Sequence, residues 1–554
     1  MPEMSTEATF DRTANLRRLS EERFDLLVIG GGITGAGVAL DAAARGLKVA
    51  LVERNDWAAG TSSKSSKLVH GGLRYLNQRD YRLVYEALRE RQRLRRNAPH
   101  LVPMLPFLIP LFGKGGFVDP RLAKALNWVL WLYDLTGGWR IGKFHKRIDA
   151  PAALGHLPIL KADRVQGGFI YYDAQTDDAR LTLSIVKTAA LYGTVAANRS
   201  AVVGISGDLV KLVAESRDMR SGDGDKVIEV QATVVVNATG VWADESQKLL
   251  GESTTKLRPA KGVHIAIPRQ YLQNDIGVVL PVRGTKRSIF IVPLGDYAYV
   301  GTTDTDYEGP LDAPVCTNEE LDEVLSAVND WAETPLSRSD VRATWAGLRP
   351  LVASESTAKT ADLSRRHSVS VSRAGLITVT GGKLTTYRLM AADTVDKVMQ
   401  QLGKPVGWTR GPAGVRNRCR TTSLKIWGAE GFEEMTETSP HLANRYGGQA
   451  VELIEMIKAE PSLGEPLIDG MPYLRAEALY AVRHEMALTL DDVLSRRIPA
   501  RWLDTYKTAE VAESTASLIG PELGWTQAEC SRQAAEFKTS LTHELSVAGL
   551  GAPT

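Results

Sequence analysis

Phe24-Asp25-Leu26-Leu27-Val28-Ile29-Gly30-Gly31-Gly32-Ile33-Thr34-Gly35 decides the fold of the first half of this chain. Phe24 to Ile29 is a short apolar run of the kind that fills a parallel strand buried on both faces. Gly30, Gly32 and Gly35 follow with the spacing G-x-G-x-x-G. The first glycine permits a tight turn, the second lets a pyrophosphate approach the backbone, and the third lets a helix pack closely on the strand. Ala36 to Arg45 reads as a small-residue helix ending at Gly46, and Lys48 to Val52 as a second buried strand closed by Glu53. This is one β-α-β unit of about 30 residues. Its helix N-terminus offers N–H groups and partial positive charge to phosphates. Glu53, 23 positions beyond Gly30, stands where a carboxylate can accept from a ribose hydroxyl.

The loop alone does not separate a nicotinamide from a flavin dinucleotide. Two later stretches favour FAD. Val234-Val235-Val236-Asn237-Ala238-Thr239-Gly240 is a buried strand entering a small-residue turn, suited to a closely bound dinucleotide. Thr380-Gly381-Gly382-Lys383 opens a late helix and offers a second N-terminal dipole.

Working outward, 554 residues exceed one hydrophobic core, so two or three domains are expected. The chain is 44% hydrophobic and 24% charged, an ordinary globular composition. A net charge of +2 supplies no field directing it to nucleic acid. Cys316, Cys419 and Cys530 lie far apart and form no C-x-x-C pair, which excludes a zinc, iron–sulfur or disulfide signature and fits a reducing compartment. Redox chemistry would then need an organic cofactor. Met1 to Glu22 lacks an apolar h-region, so no signal peptide is expected. The longest apolar run, Leu101 to Phe112, contains Pro103, Pro106 and Pro110 and falls short of the ~20 residues a spanning helix requires.

Helices are expected over Tyr81–Arg96, Leu126–Leu135, Asp178–Tyr192, Glu319–Trp331 and Leu384–Gln401, with Leu101 to Ile148 otherwise irregular. Val227–Val236 and Ser368–Thr380 read as strands, and Val263–Ile267, Ser288–Pro293 and Tyr297–Gly301 as hairpins of an antiparallel sheet. Beyond the Pro/Gly-rich stretch Gly403–Gly414 the pattern is helical to the end.

Four stretches carry a family resemblance. Thr61-Ser62-Ser63-Lys64-Ser65-Ser66-Lys67-Leu68-Val69-His70-Gly71-Gly72-Leu73-Arg74-Tyr75-Leu76 resembles the diagnostic loop of FAD-dependent glycerol-3-phosphate dehydrogenases. Gly301-Thr302-Thr303-Asp304, Ala346-Gly347-Leu348-Arg349-Pro350-Leu351 and Gly381-Gly382-Lys383-Leu384-Thr385-Thr386-Tyr387-Arg388 are similar to further motifs of that family. The similarity runs from about Phe24 to the chain end.

The resemblance implies an α/β fold: an FAD-binding Rossmann-like domain of the glutathione-reductase type, an antiparallel-sheet α+β substrate domain and an all-helical C-terminal domain. The expected ranges are 1–23 for an N-terminal extension, 24–245 with 366–402 for the FAD domain, 246–365 for the substrate domain, 403–414 for a linker and 415–554 for the helical domain. Within the FAD domain, 97–150 is expected as a membrane-facing insertion. The implied activity is oxidation of sn-glycerol 3-phosphate to dihydroxyacetone phosphate by hydride transfer from C2 to flavin N5, with electrons passing to membrane quinone. The implied setting is cytoplasmic, peripheral on the inner face of the cell membrane. A homodimer is carried as an expectation with no particular residue behind it.

Such chemistry must grip a phosphate, aim C2–H at the flavin and remove a hydroxyl proton. A phosphate monoester near pH 7 carries almost two negative charges, and the planar fork of Arg can bind two of its oxygens. By position in the motifs the substrate candidates are Arg74, Tyr75, His264, Arg349, Arg365 and Lys383. Arg365 and Lys383 suit the phosphate, and Arg349 the C2 oxygen as it gains charge. Imidazole can accept a proton at neutral pH, so His264 is the favoured base and His70 its competitor. Adjacent side chains on a strand face opposite ways, so only one of Arg365 and Arg366 can face the site. Flavin-contact candidates, besides Gly30, Gly32, Gly35 and Glu53, are Thr61, Ser62, Ser65, Ser66, His70, Gly71, Gly72, Ala238, Gly240, Gly382, Lys383, Leu384 and Thr385. No metal ligands are expected.

From Arg79 to Arg96 seven arginines stand against three acidic residues, and the aromatic helix with Trp128, Trp131 and Tyr133 follows. Basic beside aromatic residues suit an anionic membrane surface, while a solvated helix packed on the core explains the same pattern. Two rival activities fit the same fold: an oxidase passing electrons to oxygen, and an amino-acid oxidase, whose carboxylate substrate would not need the set Arg349, Arg365 and Lys383.

Overall fold

The computed structural model describes residues 10–72, 80–113, 120–137, 142–215, 225–250, 257–285, 287–352, 366–406 and 418–552. Its centre is an eight-stranded sheet in the order Ser368–Val371, Ile377–Thr380, Lys226–Asn237, Arg23–Ile29, Val49–Val52 and Val195–Ala197, with Ser200–Ser206 and Leu209–Ala214 added as a hairpin beside Lys226–Asn237. Leu26 pairs in parallel with Val234 on one side and with Val49 on the other. Burial on both faces explains why these strands are continuously apolar. Leu26, Val28, Val49 and Leu51 enter the core shared with the helices Ile33–Ala44, Asp178–Leu191 and Tyr387–Gln401. Leu27, Ile29, Ala50 and Val52 face the opposite way, onto the hairpin and the helix Arg12–Glu21. That helix, inside the N-terminal extension, is fastened by Arg12 to the carbonyls of Asn198, Arg199 and Glu215.

A ten-stranded sheet forms the second layer: Thr305–Asp306, Leu257–Pro268, Tyr297–Gly301, Ser288–Leu294, Gly277–Pro281, Met104–Phe112, Val165–Gln175 and Leu68–Val69, with Ala343–Val352 beside Leu257–Pro268 and Lys146–Ile148 beside Val165–Gln175. The expected hairpins are present here, and the helix Asn318–Asn329 covers them behind a capping box of Thr317 and Glu320.

The sheets divide the chain differently from the expected ranges. Leu68–Val69, Met104–Phe112, Lys146–Ile148 and Val165–Gln175 all fall inside 24–245, yet all pair in the second sheet. Residues 97–150 are therefore not simply an insertion on the first domain. Met104–Phe112 was expected to be irregular because of its prolines, and register explains how it forms a strand. The Pro103 carbonyl accepts from the Gln175 N–H, so odd-numbered residues turn their backbone groups towards Val165–Gln175. Pro106 and Pro110 face the other edge, where pairing with Gly277–Pro281 is confined to Phe107 and Leu108. Their missing N–H groups break few ladder bonds.

The C-terminal region is helical, from Phe432–Thr438 through the long helix Gln527–Val547, around its own core of Ile468, Leu494, Ile519 and Leu541. The expected linker lies largely outside the described residues.

Candidate functional site

The glycine loop is a cradle that side chains would fill. Gly30 has φ +108°, and a Cβ there would sit 2.7 Å from the Ala238 carbonyl. A Cβ on Gly35 would run into the Gly30 carbonyl, so its absence sets how closely the helix Ile33–Ala44 lies on the strand. Gly32 is the N-cap and makes no side-chain cap bond. The Ile33 N–H donates to Ser62 Oγ at 2.9 Å, and the Gly31 N–H to Glu53 Oε2 at 2.6 Å. Burial pushes the Glu53 carboxyl up, opposed by the N–H groups of Asn55 and Gly31.

These residues open a cavity of about 480 Å³. Gly30, Gly32, Glu53, Ala238 and Gly240 line it from the first sheet, and Thr61, Ser62, Ser65 and Ser66 from the connecting loop. His264, Arg349, Gly382, Lys383 and Leu384 join them. Residues more than three hundred positions apart in sequence thus meet around one space. Gly381 and Gly382, at φ +73° and +80°, turn the chain so that Lys383 reaches the wall.

Other expected positions lie elsewhere. Gly35, His70, Gly71, Gly72 and Thr385 do not line the cavity. The Gly71 N–H is shared between the Tyr133 hydroxyl and Asp173, and a Cβ there would meet Leu88 and Tyr133. His70 donates its N–H to Thr385 Oγ1, and its ring lies edge-on to Phe290. Arg74, Tyr75 and Arg365 lie outside the described residues. Arg366 pairs with Asp80 on the exposed surface, at 2.8 Å. Arg388, from the last motif, forks onto Glu90 at 2.5 and 2.8 Å and is structural.

His264 is buried and held on three sides. Its Nε2 meets Ser66 Oγ at 2.9 Å, its ring stacks on Trp345, and Tyr299 stands at its edge. Burial, then the cations Arg349 and Lys67, hold its pKa well below the usual 6.5, so the ring is neutral. Arg349 donates to Asp304 Oδ1 at 3.1 Å, to Thr302 Oγ1 at 3.1 Å and to the carbonyls of Lys261 and Thr303. Gly262 makes room for that guanidinium, since a Cβ there would strike it.

Several residues of the site escaped the sequence reading. Lys67 pairs with Asp178 at 2.6 Å, and Ser65 donates to the same carboxylate at 2.7 Å, so Asp178 anchors the loop that offers Ser66 to His264. Arg54 lies over the Trp242 ring, 4.6 Å from its centroid, and both line the cavity beside Glu53. Their places beside Glu53 and just after Gly240 were available as a signal.

The basic helix also differs from expectation. Arg91 is buried on Asp173, Arg93 pairs with Glu90, and Arg82 with Glu86. Tyr133 is buried and bonded to Asp173. Arg91 is therefore spent inside the protein, while Arg82, Arg89 and Arg96 stay exposed. The aromatic helix, Pro120–Thr136, does expose a stripe: Trp128 (74%), Trp131, Leu132 and Leu135 (67%), at positions i, i+3, i+4 and i+7.

Comparison with known proteins fits this geometry. Residues 25–388 match the family of FAD dependent oxidoreductases, and 419–530 match the C-terminal domain of alpha-glycerophosphate oxidase. Glycerol-3-phosphate dehydrogenase 2 of Mycobacterium bovis is 40% identical over 96% of this chain and 91% of its own. The mitochondrial glycerol-3-phosphate dehydrogenase of Bos taurus is 36% identical over 96% of this chain and 74% of its own. The X-ray structure of the Bacillus halodurans glycerol-3-phosphate dehydrogenase complexed with FAD superposes with a TM-score of 0.75 at 30% identity, covering 96% of this chain and 97% of that one. Glycine oxidase from Geobacillus kaustophilus, at 20% identity and a TM-score of 0.50, shares the fold alone. The glycine cradle, the helix N-terminus that follows Gly32 and the turn at Gly381 suit a long dinucleotide, and the chain belongs to the FAD-dependent glycerol-3-phosphate dehydrogenase family.

Proposed function

We propose that this enzyme oxidises sn-glycerol 3-phosphate to dihydroxyacetone phosphate and passes the electrons to a membrane quinone. One observation carries the reading: Lys383, Arg349 and the neutral His264 line the same cavity that the glycine loop opens. Bound FAD supplies the two-electron acceptor for the hydride leaving C2. Gly30, Gly32 and Glu53 would hold its adenosine pyrophosphate, and the loop 61–66 with Gly382 its other half. Lys383 attracts the phosphate dianion, in company with Arg365. Arg349, fixed by Asp304 and Thr302, steadies the C2 oxygen as it gains charge. His264 accepts the hydroxyl proton at Nε2, the nitrogen that meets the Ser66 hydroxyl. One hydride and one proton leave, and the alcohol becomes a ketone.

The exposed stripe Trp128, Trp131, Leu132 and Leu135 supports attachment to a membrane surface, where a quinone would be met. Among the described residues no helix is long and apolar enough to cross a membrane. Anaerobic mixing of the holoenzyme with glycerol 3-phosphate tests the substrate: the flavin absorbance should bleach, and an unbleached flavin refutes it. Reoxidation by a soluble quinone at a rate well above that with oxygen supports the quinone acceptor. The reverse order would make the protein an oxidase.

A further inference from the structure

The turn that follows Glu53 is held by the far end of the chain. Asp56, its side chain fully buried, receives Arg496 Nε and Arg497 Nη1 on Oδ2, both at 2.6 Å, and Arg497 Nη2 on Oδ1 at 2.7 Å. These two arginines are neighbours in a π-helical turn, Asp492–Arg497, of the C-terminal region. Asp492 in turn accepts from Arg199 at 2.7 Å and from Arg496 at 2.5 Å. Glu485 pairs with Arg180. Asn198 closes the knot, donating through one amide to Asp56 Oδ1 at 3.2 Å and to the Met486 carbonyl at 2.9 Å.

The knot is connected to the cradle by short steps. Trp57 packs its ring under Gly31, where a Cβ would lie 2.5 Å from it, and the Ala58 N–H donates to the Gly31 carbonyl at 3.1 Å. The Arg199 N–H donates to the Asn55 carbonyl and the Ser200 N–H to that of Glu53, each at 2.7 Å. Glu53, Asn55 and Ser200 all line the cavity. Each of the three segments tied together also holds a non-glycine residue in the left-handed region: Ala58 (φ 62°), Arg199 (φ 49°) and Met486 (φ 55°). Such conformations persist where the surroundings over-determine them. Charges buried this deeply are poor stabilisers compared with apolar packing, but removing one partner strands the other.

We infer that residues 485–497 are a working part of the FAD site. Through Asp56 they fix the turn 53–60 against the glycine loop, so cofactor binding and docking of the C-terminal region are one coupled equilibrium. The inference rests on the reading of Gly30 to Gly35 and Glu53 as the adenosine end of that site. Reciprocity follows: FAD must hold the C-terminal region down as strongly as that region favours FAD.

Hydrogen exchange on the full-length apoprotein, with and without FAD, separates the two readings. Protection gained at 30–35, 53–60 and 485–497 together is the expected result. Protection at the first two stretches without the third overturns the coupling and leaves the FAD reading intact, and no protection at 30–35 overturns both. In the folded Asp56→Asn variant the FAD dissociation constant should rise on the order of tenfold, with Arg497→Lys, which keeps the charge but loses the fork, in between. Wild-type affinity in a folded Asp56→Asn would sink the inference. If Asp56→Asn does not fold, Arg497→Lys and the exchange experiment decide it.

Discussion

His264 and Trp345 are cross-strand partners lying face to face, ring centroids 4.9 Å apart and planes 12° apart. The stack fixes the imidazole plane, and the Ser66 hydroxyl fixes its rotation. Replacing His264 by Asn keeps a polar group of similar reach and removes the proton acceptor. Flavin reduction by glycerol 3-phosphate should slow by about 10²- to 10⁴-fold, with FAD content unchanged. Stopped-flow bleaching measures the first and the absorbance ratio of flavin to protein the second.

The depressed pKa of His264 gives a pH signature. Burial and two nearby cations keep the ring unprotonated well below pH 6.5. The acid limb of kcat/KM assigned to the base should therefore fall below the ordinary histidine range, and Arg349→Gln, which removes one of those cations, should move it upward. A limb at or above about 6.5 in the wild type would remove His264 from the role.

Lys383 and Arg349 should separate by kinetic effect. Lys383→Met deletes a charge facing the phosphate in ground and transition states alike, so KM should rise by about tenfold or more with kcat less affected. Arg349→Lys keeps the charge but loses the fork held by Asp304 and Thr302, so kcat should fall with KM little changed. Steady-state kinetics with an artificial acceptor checks both.

Acid should unfold the C-terminal region early. Arg445 and His441 hold the Glu477 carboxyl down at about 2 against the force of its burial, from an ordinary 4.5. A depressed carboxyl stabilises above its unfolded pKa, and that contribution is lost as pH falls from 4.5 towards 2. The full effect is about 3 kcal/mol. His100, lowered to about 4 by burial, acts in the same direction: the unfolded chain takes up its proton from about pH 6.5 downward while the folded one resists until about 4. Melting temperature followed from pH 7 to 3 should fall throughout, and less steeply below pH 4.5 in Glu477→Gln.

Membrane attachment can be tested at the exposed stripe. Trp128→Ser with Leu135→Ser should abolish flotation with anionic vesicles while leaving flavin reduction by glycerol 3-phosphate intact. Flotation unchanged in the double variant would place the membrane contact elsewhere.

The first sheet was legible because both faces of Arg23–Ile29 and Val49–Val52 are buried, which writes a continuous apolar run into the sequence. The glycines at 30, 32 and 35 were legible because only backbone conformation and close approach explain them. The second sheet was harder. Met104–Phe112 joins Gly277–Pro281 across 164 residues of intervening chain, and its prolines read as breakers until the register shows which edge they face. Arginines misled for a related reason: Arg91 and Arg93 read as a surface field, but their carboxylate partners include Asp173, which no local pattern announces. His264 and Arg349 were found through motif resemblance, whereas Asp178 and Asp56, buried and acting through other residues, had no motif to reveal them.

The narrow parallel junction in the second sheet has a mechanical meaning. Nine register pairs tie Met104–Phe112 to Val165–Gln175, but among the described residues its ladder to the remainder has two, Gly277 with Phe107 and Val278 with Leu108. The layer is two rafts on a two-rung isthmus, one bearing His264 and Arg349, the other Leu68 and Asp173. Heat or denaturant should part it along that line before either raft frays, separating the strand that carries the imidazole from the part of the sheet that anchors Gly71.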